Sequence, residues 1–203
     1  MRTQPQRIVE LDSVDEKLEL LAHKGIYILG GAIDIASMAG LTANIITRLS
    51  SLDKIPMWIL LNSPGGDIIQ GLAVYDLIKA IAGQGWEINI IGLGQVASMA
   101  VCIMQAGTKR YALSNTQFTI HQASLFSEAE DRVEVNKMVE DTKELKRLNH
   151  IILKIIAERS GMDMRQLLRR SKKTDYTLDT TAAKEFGERG LIDEIITTFP
   201  FQL

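Results

Sequence analysis

Between Gly25 and Gln105 the sequence alternates short apolar runs with longer stretches of helically spaced apolar residues, and this alternation restricts the fold more than any other feature. Gly25 to Gly31 is a short apolar segment bounded by glycines, and Ile35 to Leu49 follows with helical spacing. Met57 to Leu61 then reads as a buried strand, Ile68 to Ile81 as a helix, Ile88 to Leu93 as a strand and Ser98 to Gln105 as a helix. Strands that alternate with helices form a parallel sheet, because each helix carries the chain back to the edge where the next strand begins. Loops at the C-terminal ends of such strands gather on one edge, so Asn62-Ser63-Pro64-Gly65-Gly66 and the loop before Ser98 face each other.

The rest of the chain adds shorter elements. Arg110 to Leu113 and Gln117 to Ile120 read as strands, the second running straight into His121. From Ser127, which forms a capping-box pattern with Glu130, to Ser160 there is no glycine or proline, and Gly161 offers a stop. One helix of that length would span about 50 Å. Its stripe Val135, Met138, Val139, Leu145, Leu148, Ile152 and Ile155 needs a cover, either another subunit or the helix's own domain. Met164 to Arg170 reads as a short helix, Ser171 to Asp179 as a polar loop, Thr180 to Phe186 as a helix and Leu191 to Ile196 as a closing segment.

With 203 residues, 46% hydrophobic content and four prolines, the chain suits a single core, taken as one domain over 25–203 behind an N-terminal segment 1–24. A net charge of −2 gives no broad basic surface, which argues against nucleic acid or an anionic membrane as partner, and Arg169 to Lys173 reads as a solvated helix end. The single cysteine, Cys102, lies in an apolar run and reads as packing in a reducing compartment. The polar start and the absence of a long apolar stretch fit a soluble, cytoplasmic protein.

Chemistry points to Ser98. A strand that turns sharply into a helix lifts the side chain at the bend out of the sheet, and the first N–H groups of the helix point at whatever that side chain attacks. Hydrolysis of an amide by a serine also needs a base, a carboxylate to orient the base, and donors for the oxyanion. Met99 N–H supplies one donor and a backbone amide of the Gly65-Gly66 loop the other. His121 is the base, since His23 lies in a charged N-terminal stretch and His150 within the long helix. Spacing leaves the acid open among Asp67, Asp76, Asp163, Asp175, Asp179 and Asp193. Each feature has a plainer reading: small residues at a helix start permit close packing, Gly65-Gly66 makes a simple turn, and a strand-end histidine is structural. No metal-ligand spacing accompanies Met38, Met99, Met104 or Met138, and no cofactor is called for.

Four segments in order, Asn62 to Gly66, Gly94-Gln95-Val96-Ala97-Ser98-Met99-Ala100, Thr119 to Gln122, and Ala183 to Gly187 with Gly190 to Asp193, resemble the proteolytic subunit of the Clp protease. The resemblance covers roughly Gly25 to Thr198 and puts the catalytic aspartate on Asp175. It implies a crotonase-like α/β fold of stacked strand-strand-helix units with a handle helix at about 127–160. It also implies a homo-oligomer of one heptameric ring or two stacked ones, enclosing serine endopeptidase sites that hydrolyse peptides or unfolded protein. An AAA+ unfoldase is the implied partner, docking at an apolar pocket that includes Trp58 and Leu60 where aromatic residues are usual.

The chain departs from that family at Met1 to Lys24, which lacks the usual apolar start. It departs again at Ala123 to Glu128, where a proline- and glycine-rich turn is usual, and at Thr174, where arginine is usual. Two other readings stand beside the protease. One is a non-catalytic or scaffolding subunit of the same kind, and the other is a crotonase-type acyl-CoA enzyme, a class that has no use for a serine, histidine and aspartate set.

Overall fold

The computed structural model describes residues 13–50, 54–123, 135–172 and 175–201. In chain order the helices are α1 (Val14–His23), α2 (Ile35–Leu49), α3 (Ile68–Gly83), α4 (Met99–Met104), α5 (Val135–Ser160), α6 (Met164–Ser171) and α7 (Thr180–Lys184). The strands are β1 (Ile26–Gly30), β2 (Met57–Ser63), β3 (Ile88–Ala97), β4 (Arg110–Leu113), β5 (Gln117–Ile120), β6 (Tyr176–Leu178) and β7 (Glu194–Ile196). This is the mixed α/β architecture expected.

Strands β1, β2, β3, β4 and β7 lie side by side and all pair in parallel. The far end of β3 leaves β4 and pairs instead with β5, also in parallel, and β5 takes β6 as an antiparallel edge. This divergence creates the site edge, because β5 and β6 can flank the end of β3 only where β4 no longer does. Met57, Ile59 and Leu61 alternate toward the main core, which also takes Ile88, Ile90, Val74, Ile78 and every residue of α4. The intervening Trp58, with Ile26, Ile91, Tyr111 and Ile196, packs a second, smaller cluster on the opposite sheet face.

Local chemistry sets the helix starts. Ser13 and Glu16 form a capping box for α1, Asp34 and Ser37 another for α2, and Asp67, Asp163 and Asp179 cap α3, α6 and α7. In α5 the buried residues Leu153, Ile156 and Ala157 all lie in the C-terminal half, whereas Met138 and Val139 near its start are exposed. Where β4 meets β7, the buried Arg110 guanidinium donates to both carboxylate oxygens of Asp193, to Gln105 Oε1 and to the carbonyls of Gly190 and Arg189. Among the described residues no helix is long and apolar enough to cross a membrane.

Three local expectations need correction. The polar stretch 171–179 contains a strand, β6, because Phe118, Thr119 and Ile120 offer it a ladder. No loop precedes Ser98, since β3 continues to Ala97 after a bulge opposite Leu61 and Ser63. Helix α7 ends at Lys184, short of Phe186. Helix α1, which the sequence reading did not single out, ends at His23 within the charged N-terminal stretch. The Ser127–Glu130 cap, the start of the long helix, residues 124–128, Thr174 and residues 1–12 lie outside the described residues.

Candidate active site

Ser98 stands between β3 and α4 with φ 56° and ψ −122°, the conformation of the first central residue of a type II′ turn. Among the described residues it is the only non-glycine with positive φ. Such a conformation costs of order 1–3 kcal/mol and persists only when neighbours impose it. The neighbours here are specific. Ser98 N–H donates to the Thr119 carbonyl at 2.8 Å, and Ser98 O accepts from Val101 N–H at 3.0 Å. The hydroxyl does not cap α4, so its oxygen remains available to other groups.

The Gly65-Gly66 loop presses directly onto this turn. A Cβ on Gly65 would lie 2.6 Å from Ser98 Cβ and 3.0 Å from Met99 N, at a backbone φ of +97°. One on Gly66 would lie 2.2 Å from the Ile33 carbonyl oxygen. Ile33 N–H donates to Gly65 O at 2.9 Å and Asp67 N–H donates to Ile33 O at 2.8 Å, which fixes the loop from below. Gly65 N–H is occupied by Ser63 Oγ at 3.1 Å. Among the described residues, the N–H groups of Gly66 and of Met99 at the start of α4 have no acceptor. Two unoccupied amides beside a strained serine can together receive a negative charge that develops on an oxygen between them.

His121 follows β5 directly. Because Ala97 pairs with Thr119, its position is fixed to within a residue or two of the Ser98 turn. Its Nδ1 contacts the Gln122 carbonyl oxygen at 2.7 Å. A carbonyl can only accept, so Nδ1 carries the proton and Nε2 is left as the basic nitrogen.

The antiparallel ladder pairs Phe118 with Leu178, Thr119 with Thr177 and Ile120 with Tyr176, so the next opposed position holds His121 and Asp175. The hydroxyls of Thr119 and Thr177 meet at 3.4 Å across the ladder, and alternation puts His121 and Asp175 on that same face, one pair further along. Asp175 is exposed. Among the described residues no hydrogen bond joins Ser98 to His121 or His121 to Asp175; the Gln122 carbonyl holds Nδ1 instead.

The other aspartates left open by spacing lie elsewhere. Asp67, Asp163 and Asp179 cap helices, Asp76 lies within α3, and Asp193 is bound to Arg110. Burial alone would push the Asp193 carboxyl up, but the Arg110 guanidinium outweighs it and holds the group below the usual carboxylate range.

On the opposite sheet face, Trp58 is buried and Leu60 half-buried. The Trp58 ring lies 5.9 Å from Tyr111 and 5.3 Å from Phe201, and Phe199 stacks on Phe201 at 5.1 Å. Sequence reasoning missed this C-terminal aromatic cover. The phenylalanines of Phe199-Pro200-Phe201 were the available signal.

Comparison with known proteins identifies the family. The family model described as Clp protease matches residues 10–199. ATP-dependent Clp protease proteolytic subunit 3 of Streptomyces avermitilis is 32% identical over 91% of this chain and 80% of its own length. Subunit 1 of Streptomyces coelicolor is 31% identical over the same shares. The ATP-dependent Clp protease proteolytic subunit of Oltmannsiellopsis viridis is 30% identical over 70% of this chain and 68% of its own. A match over nearly the whole length, on a sheet that carries a strained serine at the end of β3, makes this chain a divergent member of the Clp protease family.

Proposed function

We propose that the protein is a serine endopeptidase subunit in which Ser98, His121 and Asp175 form the catalytic set and the N–H groups of Gly66 and Met99 form the oxyanion hole. Ser98 Oγ attacks the peptide carbonyl carbon while His121 Nε2 takes its proton, and the carbonyl oxygen gains its negative charge between the two amides. Collapse of this intermediate expels the amine, which receives the proton from His121. Water then repeats the sequence on the acyl-serine. Asp175 accepts from Nδ1–H and stabilises the imidazolium, replacing the Gln122 carbonyl in that role. The observation that carries the reading is the positive φ of Ser98 against the Gly65-Gly66 loop.

The relatives bear the names of subunits of an ATP-dependent protease, and the same organisation is proposed here. A ring of like subunits, single or stacked in pairs, would cover the exposed Met138 and Val139 of α5 and enclose the sites around unfolded protein. An AAA+ unfoldase would dock near Trp58 and Leu60, where it meets Phe201. The scaffolding reading draws on one observation, that His121 Nδ1 faces a backbone carbonyl and not a carboxylate.

One experiment separates the two. The full chain is treated with a fluorophosphonate and with a fluorogenic peptide, beside Ser98→Ala. Labelling and turnover that vanish in the variant support the peptidase. Turnover that survives in Ser98→Ala refutes it, and an unreactive parent protein favours the scaffold.

A further inference from the structure

We propose that Arg170 and Tyr176 form a clamp that positions Asp175 opposite His121, an inference that rests on the catalytic reading above. Strand β6 has only three residues and, among the described residues, one sheet partner, β5. Three ladder pairs hold a strand weakly, and Asp175 lies just beyond the last of them. Something outside the ladder must fix that end if the carboxylate is to keep its place.

Tyr176 is the residue so fixed. It sits opposite the buried Ile120, on the core-facing side of the ribbon, and alternation sends Asp175 and Thr177 to the other side with His121. The Tyr176 ring lies 6.0 Å from the ring of the buried Phe186. The Arg170 guanidinium also lies over the Tyr176 ring, 5.3 Å from its centroid, and donates from Nη1 to the Tyr176 hydroxyl. One side chain is thus held by packing, by a cation over its face and by a charge-assisted hydrogen bond.

Arg170 is itself well anchored. It lies in the last turn of α6, which Asp163 caps at 2.8 Å, Leu167 buries and Ser171 Oγ closes by donating to the Leu167 carbonyl at 3.0 Å. A rotation or slip of β6 would carry Tyr176 off both Phe186 and Arg170. Since Tyr176 and Asp175 share a peptide bond, the same contacts restrict where the carboxylate can point. Both are positioning residues, since neither lies on the His121 face.

The test measures kcat and KM on a fluorogenic peptide for Tyr176→Phe, Arg170→Lys and Arg170→Gln in the full chain, each alone and combined with Asp175→Asn. Tyr176→Phe keeps the ring and loses the hydroxyl. It is expected to lower kcat by about tenfold with KM nearly unchanged, since a displacement near 1 Å is sufficient for losses of that order. Arg170→Gln loses more, and Arg170→Lys recovers part of the loss by keeping the cation over the ring. In the Asp175→Asn background none of the three is expected to add a further loss, because the group they position is already gone.

Equal fold losses in both backgrounds overturn the clamp, as do full kcat values in Tyr176→Phe and Arg170→Gln when Asp175→Asn is inactive. If Asp175→Asn itself keeps full kcat, the catalytic assignment falls and the clamp with it. Should Arg170→Gln fail to fold, judged by its thermal transition, the Tyr176→Phe pair of backgrounds decides alone.

Discussion

Two corners of the sheet, similar in being stitched together by polar side chains, differ in what they leave available. Where β4 meets β7, all five guanidinium N–H groups of Arg110 have acceptors, the Arg110 backbone N–H donates to the Asp193 carboxylate, and the Asp193 N–H donates to the Arg110 carbonyl. No guanidinium N–H remains there for a ligand. Where β3 meets β5, Ser98 is held in an unfavourable conformation by backbone hydrogen bonds and by the Gly65-Gly66 loop packed on it, while among the described residues its hydroxyl and the Gly66 and Met99 amides have no partner. Satisfied polar groups mark the corner that holds the fold. The corner proposed for chemistry keeps its groups unsatisfied and relies on surrounding packing to hold them there.

The sharpest way to break this contrast is Gly65→Ala, whose added methyl cannot avoid Ser98 and the Ala97 carbonyl. Peptidase activity is expected to fall by about a hundredfold or more, the scale of a lost oxyanion donor. Unchanged activity would show that the loop is not part of the site.

The second corner is tested by Asp193→Asn, which leaves the buried guanidinium without its counter-charge and should cost about 3 kcal/mol in denaturant unfolding. Because the folded Asp193 carboxyl titrates below its ordinary value, its contribution is complete above the unfolded pKa of about 3.9 and is lost as pH falls through the folded one. The gap between parent and variant should therefore narrow below about pH 4. A gap that stays constant on acidification would remove the charge pairing from the explanation. Peptidase activity per folded molecule should hardly move.

The smallest expected effect concerns neither corner. Phe201→Ala in a Trp86→Phe background should shift Trp58 emission to the red and cost about 1 kcal/mol, the worth of one aromatic pair. An unshifted spectrum would mean that the C-terminal aromatics do not shield the indole.

How much of this was legible beforehand depended on whether a signal was local. Helix α2 begins at Ile35 and ends at Leu49 as its apolar spacing indicates, and β4 and β5 occupy the segments read as strands. The Ser98 turn was legible because an apolar strand, small residues and a second apolar run are adjacent in the sequence. Strand β6 was not, since Tyr176-Thr177-Leu178 is too short to display a period and exists only because β5 offers it a ladder. The position of Asp175 opposite His121 was illegible to spacing for the same reason, and only the resemblance to the Clp proteolytic subunit singled it out. Helix α1 did carry a local sign, the Ser13 and Glu16 capping box, which composition of the charged N-terminal stretch obscured.

The dihedral angles at position 98 also constrain which nucleophiles evolution can try there. A side chain branched at Cβ is poorly tolerated at a φ of 56°, so a threonine would have to distort the bend or forfeit its packing. Cysteine, unbranched and of similar reach, meets no such barrier. Descendants of this chain could thus exchange oxygen for sulfur by one substitution, whereas conversion to a threonine hydrolase would require the backbone itself to be rebuilt.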